Sequence, residues 1–188
     1  MKYSNIIKLI LLLVTILFLK YTFVINNLKL PILNINSYII LYFMNFHEKK
    51  LLKKLKKLQL IIGNKCIIDA GAYVGDTSII LAKNNPFQKV YAIEPSIPNF
   101  TFIKKVKNLN EISNLIPLNY LLSNQVSFYS SKNTNLSNAY YSKSTETDSN
   151  QKSYKLDDLI QRKIINEKVG LLHFDVEGME EKVLKGSL

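Results

Sequence analysis

One stretch of this 188-residue chain constrains its fold more than any other. Cys66-Ile67-Ile68-Asp69 is a short β-rich run, with Leu60, Ile61 and Ile62 ahead of it. It ends in an acid and enters Ala70-Gly71-Ala72-Tyr73-Val74-Gly75-Asp76, from which TSIILAK at 77–83 continues with helical character. A strand thus feeds a glycine turn, and the turn feeds a helix. Helix N-termini present unpaired N–H groups, and glycine lets a ligand approach the backbone. Lys89–Ile93 then reads as a second strand ending at Glu94, 25 residues after Asp69. Pro95 stops that strand, and Asn99 to Val106 resumes as helix. An acid at the end of the second strand is placed to take two ribose hydroxyls.

Two nucleotide chemistries share this layout. Dinucleotide sites place G-x-G-x-x-G on a pyrophosphate, whereas Gly71 and Gly75 here form G-x-x-x-G. Asp69 closes the first strand, and a carboxylate suits a cationic amino-acid tail and sulfonium better than a pyrophosphate. That favours S-adenosyl-L-methionine over NAD, with a nicotinamide-dependent oxidoreductase as the weaker alternative. The plain structural role for Asp69 is a helix cap or turn residue.

A second acidic strand end lies further on. Val169 to Gly178 reads as a buried strand finishing in Asp175, Glu177 and Gly178. MEEKVLKG at 179–186 reads as a helix with Glu180 and Glu181 in its favoured first turn. Ligands of open α/β sheets bind at the carboxyl ends of strands, so Asp175 and Glu177 are site candidates. Capping and loop hydrogen bonding is their structural alternative. His173 shares a strand face with Asp175 and is expected to be a hydrogen-bonded core histidine.

These segments resemble the FkbM-type S-adenosylmethionine-dependent methyltransferases over roughly residues 65–188. IIDAGAYVGDTS (67–78), VYAIEPSIPNF (90–100), KLDDLI (155–160) and FDVEGMEEKVLKG (174–186) carry the likeness in family order. The resemblance implies an α/β fold with a Rossmann-like class I methyltransferase sheet and transfer of methyl to a hydroxyl oxygen of a small molecule or glycan. It implies a cofactor loop of Asp69, Gly71, Ala72, Gly75 and Asp76, with Glu94 and Ser96 at the ribose. It also implies Ser123 and Asn124 near the adenine, with Asp175 and Glu177 beside the reacting centre, where either could accept the acceptor's proton. Ser123-Asn124 stands where the family commonly has Ser-Asp. The family's sheet has seven strands, and this chain ends after the helix following the fourth. The expectation is therefore a sheet incomplete there, with a separate chain completing it or with a non-catalytic, membrane-tethered interaction module as the alternative reading.

Charge divides the chain. Residues 1–68 hold eleven lysines and one acid, Glu48, while 69–188 hold fourteen Lys/Arg and thirteen acids. A nucleic-acid binder would carry its positive face on the working domain, so no nucleic-acid partner is expected. A membrane protein carries it beside an apolar segment, which is where it lies. Leu9 to Leu19 is uncharged, and the stretch Ile6–Ile25 has the roughly 20 residues a membrane span needs. No A-x-A-like cleavage pair follows it. Residues 1–46 are read as a membrane anchor and apolar juxtamembrane segment, in which Ser37 to Phe46 is an interfacial or packed helix. Residues 47–64 are read as a basic amphipathic linker helix with Leu51, Leu52, Leu55 and Leu58 on one face, and 65–188 as the methyltransferase domain. The domain is expected to face the cytosol, with sequons at Asn99 and Asn135 unglycosylated. One cysteine excludes a disulfide framework, and two distant histidines suggest no local metal motif. The Ser- and Asn-rich segment 130–153 reads as a disordered loop, or else as a substrate lid contacting through Tyr140 and Tyr141.

Overall fold

A computed structural model describes residues 22–25, 28–31, 63–131 and 141–187. Its centre is a parallel sheet of four strands in the order β10-β3-β4-β5. These are β3 (Cys66–Ala70), β4 (Val90–Ile93), β5 (Leu115–Leu118) and β10 (Val169–Phe174). β3 and β4 are buried along their whole length. Both faces of the sheet are therefore covered, and both strands read as apolar runs rather than alternating ones. Side chains still alternate in direction. Ile67, Val90 and Ala92 enter one core; Cys66, Ile68, Ala70, Tyr91 and Ile93 enter the other.

The first core is closed by α1 (Asp76–Asn84) and α2 (Ile97–Leu109). Ile79, Leu81 and Ala82 of α1 and Phe102, Ile103 and Val106 of α2 supply its helical side. Burying each of the larger apolar side chains stabilises the fold by about 1.5–3 kcal/mol. α1 starts at Gly75, whose φ of 82° suits glycine, with Asp76 in the first turn and Lys83 in the last. α2 starts after Ser96 and carries Pro98 in its first turn, where a missing N–H costs nothing.

The second core is closed by α3 (Leu156–Gln161), α4 (Glu180–Lys185) and a small sheet of order β6-β9-β7-β8. The strands of that sheet are β6 (Leu121–Leu122), β7 (Phe128–Ser131), β8 (Tyr141–Lys143) and β9 (Gln151–Tyr154). Disorder is corrected for the described parts of 130–153: the end of β7, all of β8 and β9 up to Ser153 fall within it. Ladder hydrogen bonds order this polar sequence, and a few inward side chains fasten it. Tyr129 is 2% exposed, and the buried Ser153 hydroxyl donates to the Gln125 carbonyl at 2.9 Å. Residues 132–140, including Tyr140 and Asn135, lie outside the described residues.

The N-terminal expectation is also corrected in part. Thr22–Ile25, read as the end of an anchor helix, is strand β1, paired antiparallel with β2 (Leu28–Pro31). Its β-branched and aromatic residues favour that state. β2 lies against α2, and Leu28 packs on the first core. No helix among the described residues is long and apolar enough to cross a membrane. The rest of the expected anchor (6–21), the 37–46 segment and the basic segment 48–62 lie outside the described residues.

Gly71 and Gly178 offer a matched test of what fixes the strand ends. Both have positive φ, 78° and 86°. A Cβ on Gly71 would run into the Asp175 backbone, whose carbonyl carbon lies 2.8 Å away; one on Gly178 meets nothing within 4 Å. Gly178→Ala should cost only the left-handed backbone penalty of about 1–2 kcal/mol. Gly71→Ala should cost at least about 2 kcal/mol more, measured by denaturant unfolding. Equal losses would show that the close approach is not structural.

Candidate active site

The carboxyl ends of β3, β4 and β10 converge on one cavity of about 290 Å³. Parallel registers bring them level: Asp69 lies opposite Ala92 of β4 and His173 of β10. The turn after β3 is drawn across β4, because the Gly71 and Ala72 N–H groups both donate to the Ile93 carbonyl, at 2.9 and 3.1 Å. The chain leaving β10 is tied down in turn by the Asp175 N–H donating to the Ala70 carbonyl at 3.0 Å.

Glu94 closes one side and is 5% exposed. Its Oε2 accepts the Tyr73 N–H and its Oε1 the Ser96 N–H, each at 2.8 Å. The Asn99 amide adds a longer bond at 3.4 Å. Asn119 fixes the backbone here by donating to both the Glu94 and Pro95 carbonyls at 2.8 Å. Burial pushes the Glu94 carboxyl up to about 7; the three donors oppose that rise and the Asp69 charge adds to it. Tyr141 of β8 lines the same cavity, and burial and then the Glu94 charge raise its hydroxyl. The Asn99 side-chain oxygen is buried with no partner, although Asn99 lines the cavity.

Asp69, on the neighbouring strand, also lines the cavity and is 1% exposed. The Ser78 hydroxyl donates to its Oδ2, and Oδ1 lies 2.7 Å from His173 Nδ1. Each oxygen therefore already holds one partner. Asp175 and Glu177 stand at the exposed mouth. Tyr73 and Glu177 line the cavity with φ of 50° and 49°, a conformation that costs energy in non-glycine residues and clusters at functional sites. Among the described residues, no group of three His, Cys, Asp or Glu is arranged to hold a metal ion. Cys66 is remote and buried, with its thiol pushed up to about 11 by burial.

Residues 69–188 match the methyltransferase FkbM domain. The chain belongs to the FkbM methyltransferase family. No curated protein matches it.

Within this FkbM domain, Asp69, Gly71, Ala72, Asp76, Glu94, Asp175 and Glu177 line the cavity, as does His173, read from sequence as a core residue. Gly75 lies beneath, where a Cβ would stand 3.0 Å from Ile103 and 3.1 Å from Ile79. Ser96 lies behind Glu94 and reaches it through its backbone N–H. Ser123 and Asn124 do not line the cavity. The Ser123 N–H donates to the Tyr154 carbonyl at 2.8 Å, drawing the chain into the small sheet, and its hydroxyl lies 3.3 Å from that of Tyr129. Tyr120, Leu121 and Leu122, just before them, line the wall instead. Their place after a strand end was the available signal. Asn99 and Met179 also line it, each within a helix start that sequence reading had recognised without assigning a role.

The raised Glu94 carboxyl has a consequence for stability. The folded protein keeps this proton up to about pH 7, whereas an unfolded glutamate loses it near 4.5. Between those values the folded state binds more protons, so this contribution is greatest below 4.5 and is lost as pH rises through 7. The loss is of the order of a few kcal/mol. Glu94→Gln should flatten that part of the stability profile in urea unfolding between about pH 5 and 8. An unchanged slope would contradict the burial of an ionisable Glu94.

Proposed function

We propose that this protein transfers the methyl group of S-adenosyl-L-methionine to a hydroxyl oxygen of a small molecule or glycan. The observation that carries the reading is Glu94: a buried carboxylate, oriented by two backbone N–H groups, at a strand end facing the Gly71 turn. The residues fit the cofactor. Glu94 would take the ribose hydroxyls, and the Gly71-Ala72 backbone with Asp76 would take the amino-acid tail. Tyr120, Leu121 and Leu122 offer an apolar wall for the base, and the unpartnered Asn99 oxygen offers a further acceptor. When bound, the cofactor supplies an electrophilic methyl group. Asp175 and Glu177 at the mouth would hold the acceptor hydroxyl.

Charge supports this donor over NAD. Among the described residues, Asp69, Asp76, Glu94, Asp175 and Glu177 line the cavity and no lysine or arginine does. Such a wall attracts a sulfonium and an ammonium and repels a pyrophosphate.

Calorimetry of the full-length protein should show saturable binding of S-adenosyl-L-methionine that NAD does not displace. Glu94→Ala should weaken it about 10- to 100-fold, the effect of losing charged hydrogen bonds. Binding should also weaken as pH falls through about 7, because the ionised carboxylate accepts the ribose hydroxyls. Absence of saturable binding would support a non-catalytic interaction module, and displacement by NAD a dehydrogenase.

The proposal extends to place: an integral membrane protein anchored through the apolar run before β1, with the domain in the cytosol. The uncharged Leu9–Leu19 stretch and the ten net positive charges of residues 1–68 support it. Deleting residues 1–21 should release the protein from carbonate-washed membranes. Glycan on Asn135 in intact membranes would reverse the side.

A further inference from the structure

We propose that the methyl acceptor is a polyhydroxyl unit that carries no anionic group, the chemistry of an unphosphorylated sugar, and that Glu180 sets this class by occupying the anion seat at the mouth of the cavity. The inference rests on the oxygen-methylation reading and deepens it by naming the class of acceptor.

The turn that leaves β10 passes through Glu177 and Gly178 with φ of 49° and 86°. A turn of this kind aims N–H groups at one point and so forms a seat for an anion. Here the Val176 and Gly178 N–H groups both donate to Glu180 Oε1, at 3.2 Å each. The N–H of Glu180 itself, then those of Gly178 and Val176, hold its carboxyl below the usual range, so it stays ionised. The protein's own carboxylate thus fills the place that a ligand's phosphate or carboxylate would take. Neighbouring N–H groups are committed as well. Asp175 donates to the Ala70 carbonyl at 3.0 Å, and Met179 to the Val176 carbonyl at 3.2 Å.

What the mouth offers a ligand is acceptor oxygens. Asp175 and Glu177 are exposed there and line the cavity. An ionised carboxylate only accepts hydrogen bonds, and a hydroxyl donates one. In the same cavity the Asn99 side-chain oxygen, buried and without a partner, is another acceptor that calls for a donor. Lys182, the first cation after the turn, is engaged elsewhere: its ammonium lies 3.6 Å from the Met179 sulfur and 5.9 Å from the Tyr129 ring centre. An anionic group at the mouth would therefore meet like charge on Asp175 and Glu177, with no lysine or arginine lining the cavity among the described residues. A neutral ring edged with hydroxyls meets its complement. Tyr141 and Met179, which line the same cavity, add apolar surface for the face of such a ring.

Two measurements on the full-length protein test this with defined probes. The chain has six glycines, so ¹⁵N-glycine spectra hold few signals, and Gly178→Ala assigns the Gly178 amide. Inorganic phosphate should leave that amide unmoved. In Glu180→Ala the same titration should shift it, because two N–H groups are released. Glu180→Gln, which keeps the seated oxygen, should respond as the wild type does. Radiolabelled S-adenosyl-L-methionine then reports the acceptor class. Glucose should be methylated at least about tenfold faster than glucose 6-phosphate or glucuronate, by a margin that narrows as salt screens the mouth. A phosphate-induced shift of Gly178 in the wild type, or anionic probes methylated as fast as glucose, would overturn the assignment. Where no probe is methylated, the Gly178 titrations decide alone. Should Glu180→Ala fail to fold, the wild-type and Glu180→Gln titrations still decide. Failure of S-adenosyl-L-methionine to bind would strike the proposed function, while the Gly178 amide would still report whether the seat is filled.

Discussion

The site depends on a close approach between two backbone segments: the turn at Gly71 and the chain leaving β10 at Asp175. No Cβ fits between them, so only glycine lets the ends of β3 and β10 come together. The Asp175 N–H bond to the Ala70 carbonyl secures the approach from one side, and the Gly71 and Ala72 bonds to Ile93 secure it from the other. Three strand ends are thereby fixed within hydrogen-bonding distance of one another. The register that follows sets Asp69 against His173 and turns the Tyr73 N–H onto Glu94. Side chains from distant parts of the sequence are held rigidly because backbone, not loop packing, positions them.

Electrostatics sets the character of that cavity. The chain is strongly basic as a whole, yet residues 69–188 are nearly balanced and their cavity is lined by five carboxylates. Burying acids is unfavourable unless they are hydrogen-bonded, and the two deepest are: Asp69 by Ser78 and His173, Glu94 by Tyr73, Ser96 and Asn99. Even so, burial outweighs the donors at Glu94 and leaves its carboxyl near neutrality. A cationic ligand that also donates hydroxyls would relieve that cost. The net positive charge is concentrated in residues 1–68, ahead of the residues that line the cavity among those described.

Much of this was legible before any coordinates. The strand, turn, helix and terminal acid around Asp69, Gly71 and Glu94 are local patterns set by periodicity and glycine, and they stand where they were expected. Ser123 and Asn124, expected near the adenine, do not line the cavity, whereas Tyr120, Leu121 and Leu122 do, because the β6–β9 pairing that draws the chain away there is a long-range contact. His173 shows the same limit: its face was readable, but its partner on β3 follows from a register between strands about a hundred residues apart. Segment 130–153 misled by composition. Its hydrogen-bonded ladder needs few apolar side chains once Tyr129 and Ser153 are buried. Thr22–Ile25 misled because apolar, β-branched residues suit a strand as readily as the end of a membrane helix.

A crystal structure of the full-length protein with S-adenosyl-L-methionine bound is the most direct measurement of the central claim. It should show both ribose hydroxyls on the Glu94 carboxylate and the amino-acid tail against the Gly71-Ala72 backbone. The methyl group should point toward the mouth between His173 and Asp175. A ligand seated away from Glu94, or with its methyl turned from that mouth, would contradict the account.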